Sequence, residues 1–187
     1  MSNKKLIVLS APSGTGKTTI VKEILKRDKD LIFSVSATTR AKRKGETDGK
    51  DYFFISKEDF ENKIKNNEFV EYECVFGVDY YGTLKSFVEK NLREDNLIIF
   101  DLDVLGALSI KKYYGEKAVL IFIKPPDKES LISRLKSRGT EVEEDIERRI
   151  ARFDKEMALI KEFNYIVVND NLENAVNEIQ KIINKYK

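Results

Sequence analysis

The sequence predicts an α/β protein built on a mainly parallel sheet of five strands, and three observations carry this prediction. Five short apolar runs have the length and composition of buried strands; they span residues 6–9, 32–35, 97–100, 119–123 and 165–168. Segments with helical spacing of apolar residues lie between them, which indicates crossover connections between parallel strands. A glycine-rich segment follows the first run directly. With helices on both faces, such a sheet makes a three-layer fold.

Composition indicates one globular domain without a strong charge preference. The chain has 187 residues, of which 41% are hydrophobic and 35% charged, and this suits a single compact domain. A net charge of +2 gives no general reason to expect nucleic acid or a membrane as a partner. No apolar run approaches the ~18 residues of a membrane span or forms a signal-peptide core.

The cysteine content points to a reducing compartment. Cys74 is the only cysteine, which excludes an intramolecular disulfide, and we expect its side chain to be a small buried hydrophobe. The expected location is therefore the cytoplasm. The sequence leaves the oligomeric state open, and a homo-oligomer is compatible with it.

The glycine-rich segment has the pattern of a phosphate-binding loop (P-loop). It comprises Ala11, Pro12, Ser13, Gly14, Thr15, Gly16, Lys17 and Thr18, and Thr19 follows. Apolar residues at positions 20, 21, 24 and 25 then predict a helix, so the loop connects a strand to a helix as the motif requires. Backbone N–H groups and the helix N-terminus would bind phosphates, Lys17 would reach the β- and γ-phosphates, and Thr18 would hold Mg²⁺. We therefore expect a nucleoside triphosphate ligand.

One position departs from the usual loop pattern. Ala11 stands where the first glycine is expected. Alanine adds only a Cβ atom, so it is compatible with the loop if its φ angle is negative.

Two stretches interrupt the alternation of strands and helices. Residues 36–84 hold alternating segments at 51–55 and 69–75 around a short helix that Ser56 would cap, which predicts an inserted α+β lobe. Residues 126–150 follow Pro125 and are rich in charge, which predicts a helical lid that projects from the core. The core would then comprise residues 1–35, 85–125 and 151–187 of a single domain.

A basic cluster follows the second predicted strand. Arg40, Lys42, Arg43 and Lys44 place four cations within five residues. Guanidinium groups bind phosphate oxygens in pairs, although composition alone favours a solvated basic loop. The chain has no histidine, which excludes a histidine general base. Transfer of a phosphoryl group to an acceptor phosphate remains compatible, because that phosphate is largely ionised near neutral pH.

The cluster belongs to a longer pattern that resembles the signature of guanylate kinases. The matching residues are Thr39, Arg40, Arg43, Gly45, Glu46, Gly49, Lys50, Asp51 and Tyr52. Further matches follow in order at 66–71, at 80–83 (the family's guanine-contacting turn), at Asp101 and Asp103, at 138–141 and at 168–170. Leu105 departs from the glutamine that the family often has, which leaves the contact of that glutamine in doubt.

The resemblance implies a role for each matching position. The GMP phosphate would be bound by Arg40, Arg43, Tyr52 and Tyr81. The guanine would be contacted by Ser36, Glu71 and Thr83, with Asp103 at the guanine and ribose side. The lid arginines over the triphosphate would be Arg134, Arg138 and Arg149. Asn169 would lie near the adenine, and Asp101 would be linked to magnesium. The catalytic residues would be Lys17, Arg40, Arg138 and Arg149.

The implied reaction is ATP + GMP ⇌ ADP + GDP, with Mg²⁺ as cofactor and dGMP as a second acceptor. Guanine offers an N1–H and an amino group to the two oxygens of Glu71, and a hydroxyl of Thr83 or Ser36 can donate to O6. Three alternatives stay open: a kinase for another nucleoside monophosphate, a non-catalytic interaction module of the same fold, and a small P-loop ATPase or GTPase.

Several residues have plainer readings from pattern alone. Glu71 alternates with Val70 and Tyr72 and could face solvent, and Arg134 and Arg138 could lie on a solvated helix face. If the strand before them continued, Asp101 and Asp103 would point to opposite sides, and one of them would be structural.

Overall fold

The computed structural model describes the backbone of residues 5–75, 77–136 and 143–187, and the side chains of these residues other than 133–149. In chain order its elements are β1 (Leu6–Ser10), α1 (Lys17–Arg27), β2 (Ile32–Phe33), β3 (Ala37–Thr38), β4 (Phe53–Phe54), α2 (Lys57–Lys65), β5 (Phe69–Val75), β6 (Asp79–Leu84), α3 (Lys85–Arg93), β7 (Ile98–Leu102), α4 (Val104–Tyr114), β8 (Ala118–Lys124), α5 (Lys128–Lys136), α6 (Glu143–Ala158), β9 (Tyr165–Val168) and α7 (Leu172–Ile183). Short 3₁₀ turns cover Gly115–Lys117 and Ile160–Glu162.

The main sheet contains the five predicted strands and is parallel throughout. Its spatial order is β2-β7-β1-β8-β9, which places β1 at the centre with β7 and β8 on either side. The prediction of a mainly parallel sheet of five strands is therefore confirmed, and β2 is shorter than its apolar run. The glycine-rich loop leaves the carboxyl end of the central strand.

Helices cover both faces of this sheet, as the three-layer prediction requires. Ile7 and Leu9 point to one face, where α1 and α7 pack against them. Leu6 and Val8 point to the other face, where they pack with residues of α3 and α4. Because both faces are covered, β1 is apolar at each of its first four positions, Leu6 to Leu9, instead of alternating.

A second sheet lies within residues 37–84 and has the order β4-β3-β6-β5. The rings of Phe60 and Phe69 stack with their centroids 4.2 Å apart and join α2 to β5. The predicted cap of α2 is confirmed, since Ser56 Oγ accepts the backbone N–H of Asp59 at 3.0 Å. Of the second sheet, β4 and β5 fall in predicted alternating segments, whereas β3 was not predicted.

Two expectations for this region are wrong. Residues 80–83 were expected to form a turn, but they lie in β6, where Thr83 pairs with Glu71 across the antiparallel ladder. Cys74 was expected to be buried, but its side chain is exposed, because β5 is an edge strand of a small sheet and nothing in the described residues covers that position. No helix in the described ranges is long and apolar enough to cross a membrane.

Candidate active site

The loop between β1 and α1 surrounds the first of two adjoining cavities. This cavity has a volume of about 380 Å³ and is lined by Ala11, Pro12, Ser13, Gly14, Thr15, Gly16, Lys17, Thr18, Thr19, Asp103, Arg152 and Glu156. Every residue of the predicted loop therefore borders the same space. The N-terminus of α1 directs its unpaired backbone N–H groups and its positive dipole end toward this cavity, which favours a phosphate ligand.

The loop conformation explains its glycines and its alanine. Gly14 and Gly16 have φ angles of 90° and 93°, which favour glycine. A Cβ atom on Gly16 would also lie 2.9 Å from Nδ2 of Asn169. Ala11 is not among the residues with positive φ, so its Cβ atom causes no strain there, as expected.

Lys17 and Thr18 meet Asp101 at the end of β7. Lys17 Nζ donates to the carbonyl oxygen of Leu102 at 2.7 Å and forms an ion pair with Asp101. Thr18 Oγ1 donates to Asp101 Oδ2 at 3.2 Å. Parallel pairing of β1 with β7 brings these residues together, because the carboxyl ends of neighbouring parallel strands lie at one edge of the sheet.

Asn169 lies behind the loop. It is buried, and its Nδ2 donates to the carbonyl oxygen of Thr15 at 2.7 Å, so it supports the loop backbone. Its contact with adenine stays a prediction. Arg138 lies outside the described residues, as do the side chains of Arg134 and Arg149, so the roles expected for these lid arginines stay predictions.

The second cavity, of about 310 Å³, lies between the two sheets. It is lined by Ser36, Tyr52, Glu71, Glu73, Val75, Tyr81, Gly82, Asp101, Leu102 and Asp103. It therefore gathers five of the eight residues predicted to contact an acceptor nucleotide, and Thr83 adjoins it through Glu71. Its polar lining of carboxyl and hydroxyl groups suits a ligand that offers N–H donors.

Glu71 is the most perturbed acid of this cavity. The Thr83 hydroxyl donates to Glu71 Oε1 at 2.6 Å. Burial raises the pKa of Glu71 to about 7; the Thr83 hydrogen bond lowers it, and the nearby Asp103 and Glu73 raise it further. The alternative that Glu71 faces solvent is wrong, because α4 covers this part of β5. Gly106 of α4 has no side chain and so leaves room for Glu71 Oε2.

Arg40 is held rigidly beside the second cavity. Its NH1 and NH2 groups donate to the carboxylate of Glu46 at 3.1 and 2.7 Å, and its guanidinium lies 5.4 Å from the ring centre of Tyr52. The hydrogen bond to Glu46 raises the pKa of Arg40. Tyr52 and Tyr81 pack edge to face with centroids 5.8 Å apart, whereas Arg43 is exposed. The basic cluster is thus partly structured, although Lys42 and Lys44 are solvated.

Asp103 borders both cavities. The strand β7 stops at Leu102, so Asp101 and Asp103 are not two residues of one continuous strand. Asp103 is instead the N-cap of α4, and its Oδ1 accepts the N–H of Gly106 at 2.7 Å. Its Oδ2 accepts a hydrogen bond from NH2 of Arg152 at 2.7 Å. The position where the two cavities meet therefore carries one carboxylate and one guanidinium.

Arg152 and Glu156 were not predicted from the sequence. They lie four residues apart on α6 and border the loop cavity, with Arg152 Nε donating to Glu156 Oε1 at 2.7 Å. Their spacing is that of a helical ion pair, and this signal was present in the sequence. It did not distinguish them from a solvated pair, because only the packing of α6 against the core brings them to the cavity.

The fold and the loop define this chain as a P-loop protein, with a second polar cavity beside the phosphate site. The family model for guanylate kinase matches residues 3–186, and the chain therefore belongs to the guanylate kinase family. It is 50% identical to the guanylate kinase of Porphyromonas gingivalis, with 97% of each chain covered. It is 49% identical to that of Bacteroides thetaiotaomicron, covering 97% of this chain and 89% of the relative.

One solved structure agrees with this assignment, and a second shares the fold. The guanylate kinase of Anaplasma phagocytophilum superposes with a TM-score of 0.76 at 30% identity, covering 99% of this chain and 87% of that one. A shikimate kinase of Bacteroides thetaiotaomicron matches with a TM-score of 0.52 at 13% identity, which shows a shared fold alone.

Proposed function

We propose that this protein transfers the γ-phosphoryl group of ATP to GMP, and to dGMP, to give ADP and GDP. One observation carries the proposal: the phosphate-loop cavity and the carboxylate-lined cavity adjoin at Asp103. A donor whose phosphates occupy the loop and an acceptor seated beside Glu71 would bring their phosphates together there. Membership of the guanylate kinase family supports the same pair of substrates.

Glu71 and Thr83 would select the base. An ionised Glu71 can accept from guanine N1–H and from the 2-amino group, while Ser36 or Thr83 donates to O6. Adenine lacks both donors on that edge, so the partly buried carboxylate of Glu71 would keep only its hydrogen bond from Thr83. Each well-placed polar pair is worth about 1–3 kcal/mol of discrimination between bases. Because burial raises the pKa of Glu71 to about 7 in the free protein, its carboxyl group is partly protonated near neutral pH, and binding of GMP would favour the ionised form.

Arg40, Arg43, Tyr52 and Tyr81 would bind the phosphate of GMP. Arg40 is fixed by Glu46 and Tyr52, so its guanidinium needs little ordering when a phosphate arrives. Asp103 would lie at the ribose side of the same ligand. These assignments rest on the resemblance together with the lining of the cavity.

The donor phosphates would be held by the loop N–H groups and by Lys17. Thr18 and Asp101 fit a magnesium ion, since they offer a hydroxyl and a carboxylate oxygen within 3.2 Å of each other, and Mg²⁺ takes oxygen ligands of this kind. When bound, Mg²⁺ would neutralise charge on the β- and γ-phosphate oxygens. Lys17 would donate to the same phosphates, exchanging its ion pair with Asp101 for them.

In the transfer step, a phosphate oxygen of GMP forms a bond to the γ-phosphorus while the bond between that phosphorus and the β,γ-bridging oxygen breaks. The acceptor oxygen is already ionised near neutral pH, so no general base is required. Catalysis would come from alignment and charge stabilisation by Lys17, Arg40 and the lid arginines Arg138 and Arg149. Closure of the lobe at 36–84 and the lid at 126–150 over the core would exclude water. We place the reaction in cytoplasmic purine nucleotide recycling.

The test measures ADP release with Mg·ATP and each of GMP, dGMP, AMP, CMP, UMP and dTMP. Formation of ADP and GDP in equal amounts with GMP, and little ADP with AMP or the pyrimidine nucleotides, supports the proposal. Turnover with AMP or a pyrimidine nucleotide would assign another acceptor. Tight GMP binding without turnover would contradict the proposed reaction and favour an interaction module.

A further inference from the structure

Among the described residues, Arg152 is the arginine whose side chain borders the loop cavity. It lies where that cavity meets the second one. It contacts three carboxylates. Its NH2 group is 2.7 Å from Asp103 Oδ2, its Nε is 2.7 Å from Glu156 Oε1, and its NH1 is 3.8 Å from Glu73 Oε1. Asp103 caps α4, Glu156 lies on α6 and Glu73 lies on β5. The Arg152 side chain therefore connects α6 to residues of both cavities.

The guanidinium keeps donors for a ligand. Arginine has five N–H donors, and in the described part of the chain Arg152 uses one on Nε and one on NH2 in hydrogen bonds. The contact of NH1 with Glu73 is an ion pair beyond hydrogen-bond distance. Both N–H groups of NH1 and one of NH2 therefore remain to bind phosphate oxygens. The side chain is 47% exposed, so a ligand in the loop cavity can reach it.

Glu156 has the features of a residue that orients Arg152. It is 6% exposed and borders the loop cavity, and its Oε2 is buried with no hydrogen-bond partner among the described residues. An unpaired buried carboxylate oxygen lowers stability. Its Oε1 fixes Nε of Arg152, which directs NH1 and NH2 away from α6, toward Glu73 and Asp103.

We propose that Arg152 is a further substrate-binding residue that contacts the donor phosphate chain at the junction of the two cavities, and that Glu156 positions it. This inference rests on the proposed function. In the free protein, the Arg152 guanidinium donates a hydrogen bond to Asp103 and forms an ion pair with Glu73. With substrates bound, phosphate oxygens take the remaining donors, and Arg152 compensates the negative charge that gathers where the phosphoryl group is transferred.

The test compares Arg152→Gln, Arg152→Lys, Glu156→Gln and Glu156→Ala by steady-state kinetics. Removal of a preorganised charge at the reacting group lowers kcat by about 100-fold, so Arg152→Gln is expected to lose that much. Arg152→Lys should recover part of the loss, because it keeps the charge but not the fork. Glu156→Gln keeps an acceptor for Nε and should fall by about 3-fold or less, whereas Glu156→Ala should fall by about 10-fold.

Three further measurements separate this role from a structural one. Equilibrium binding of GMP to Arg152→Gln should stay within about 3-fold of wild type, while affinity for a non-hydrolysable ATP analogue falls by about 10-fold. The melting temperature of each variant reports folding. Arg27→Gln is the matched control, because Arg27 pairs with Glu173 at the opposite end of α1 from the loop; its kcat should not change.

Two readouts, GDP formation by the wild type and analogue binding by Arg152→Gln, separate failure of this inference from failure of the proposed function. If wild-type protein forms no GDP, the proposed function fails, and analogue binding to Arg152→Gln still tests the contact. If wild type is active and Arg152→Gln keeps kcat and analogue affinity within about 2-fold, the inference is overturned. It is also overturned if the kcat loss comes with an equal loss of GMP affinity and no recovery by Arg152→Lys.

Discussion

The two cavities are built in different ways. Nine consecutive residues, 11–19, form most of the lining of the phosphate-loop cavity. The lining of the second cavity is drawn from residues between 36 and 103, which belong to different strands and loops and contribute carboxyl and phenol side chains. A phosphate can be bound by the backbone of one short loop. A base edge needs side chains that separate elements bring into register.

The second cavity also differs in the carboxyl group that it partly buries. The loop cavity offers a phosphate the backbone N–H groups at the N-terminus of α1. The second cavity buries Glu71, whose pKa rises to about 7 mainly because burial disfavours the charged form. Partial burial of Glu71 in the second cavity thus carries a cost to folding at the pH values where its carboxyl group would otherwise be ionised. Substitutions in the two cavities should therefore separate catalysis, base selection and stability.

The largest effect is expected at the loop. Lys17→Ala should lower kcat by roughly 10²–10³-fold or more, because it removes a positive charge from the transferring phosphates. GMP affinity, measured by equilibrium titration, should be unchanged, since Lys17 does not line the second cavity. Lys22→Ala, on the exposed side of α1, is the control and should behave as wild type. Unchanged turnover in Lys17→Ala would refute the loop assignment.

The next effect concerns base selection. Glu71→Gln should raise KM for GMP by roughly 10–100-fold, because the amide keeps one acceptor but presents a donor to the guanine edge. KM for ATP should stay the same. The measurement is initial rates with GMP and AMP, with Glu178→Gln on the exposed side of α7 as control. A variant that keeps wild-type KM for GMP would remove Glu71 from base recognition.

A smaller effect is expected on stability. Glu71 titrates near pH 7 in the folded protein but near its usual value of 4.5 when unfolded, so the folded state retains a proton that the unfolded chain loses between these values. The contribution of Glu71 to the free energy of unfolding is then full below about pH 4.5 and is lost as pH rises through about 7. Between about pH 5 and 8, wild type should lose about 1–3 kcal/mol relative to Glu71→Gln.

Chemical denaturation of both proteins at the two pH values measures this difference. A pH response that is the same in wild type and Glu71→Gln would show that Glu71 keeps an ordinary pKa. Because other acids titrate equally in both proteins, the comparison isolates this carboxyl group.

The smallest effect is expected where α4 approaches the second cavity. A Cβ atom on Gly106 would lie 3.0 Å from Asp103 Oδ1 and 3.3 Å from Glu71 Oε2. Gly106→Ala gains helix propensity but displaces both carboxylates, so KM for GMP should rise by about 2–10-fold with little change in melting temperature. Ser109→Ala, one turn further along α4, is the control. An unchanged KM would mean that the carboxylates adjust freely.

The proposed role of Glu71 in base selection was only partly visible in the sequence. The resemblance assigned Glu71 to the guanine, yet its alternation with Val70 and Tyr72 equally fitted a solvent-facing residue. The approach of α4 excludes the solvent-facing alternative, and that contact joins segments more than 30 residues apart in the chain. The two-residue strand β3 is likewise too short to give a periodic signal and exists through its pairing with β4 and β6.

What the sequence alone determined is the local and repetitive part of this protein. The strand–loop–helix unit around Lys17, the five core strands and the cap of α2 follow from short-range patterns of apolar residues, glycines and hydrogen-bonding side chains. The tertiary structure alone decided three things: the exposure of Cys74 on an edge strand, the end of β7 that makes Asp103 a cap shared by both cavities, and the placement of Arg152 against it. Short-range patterns specify backbone conformation, whereas burial and the meeting of charges depend on which distant segments pack together.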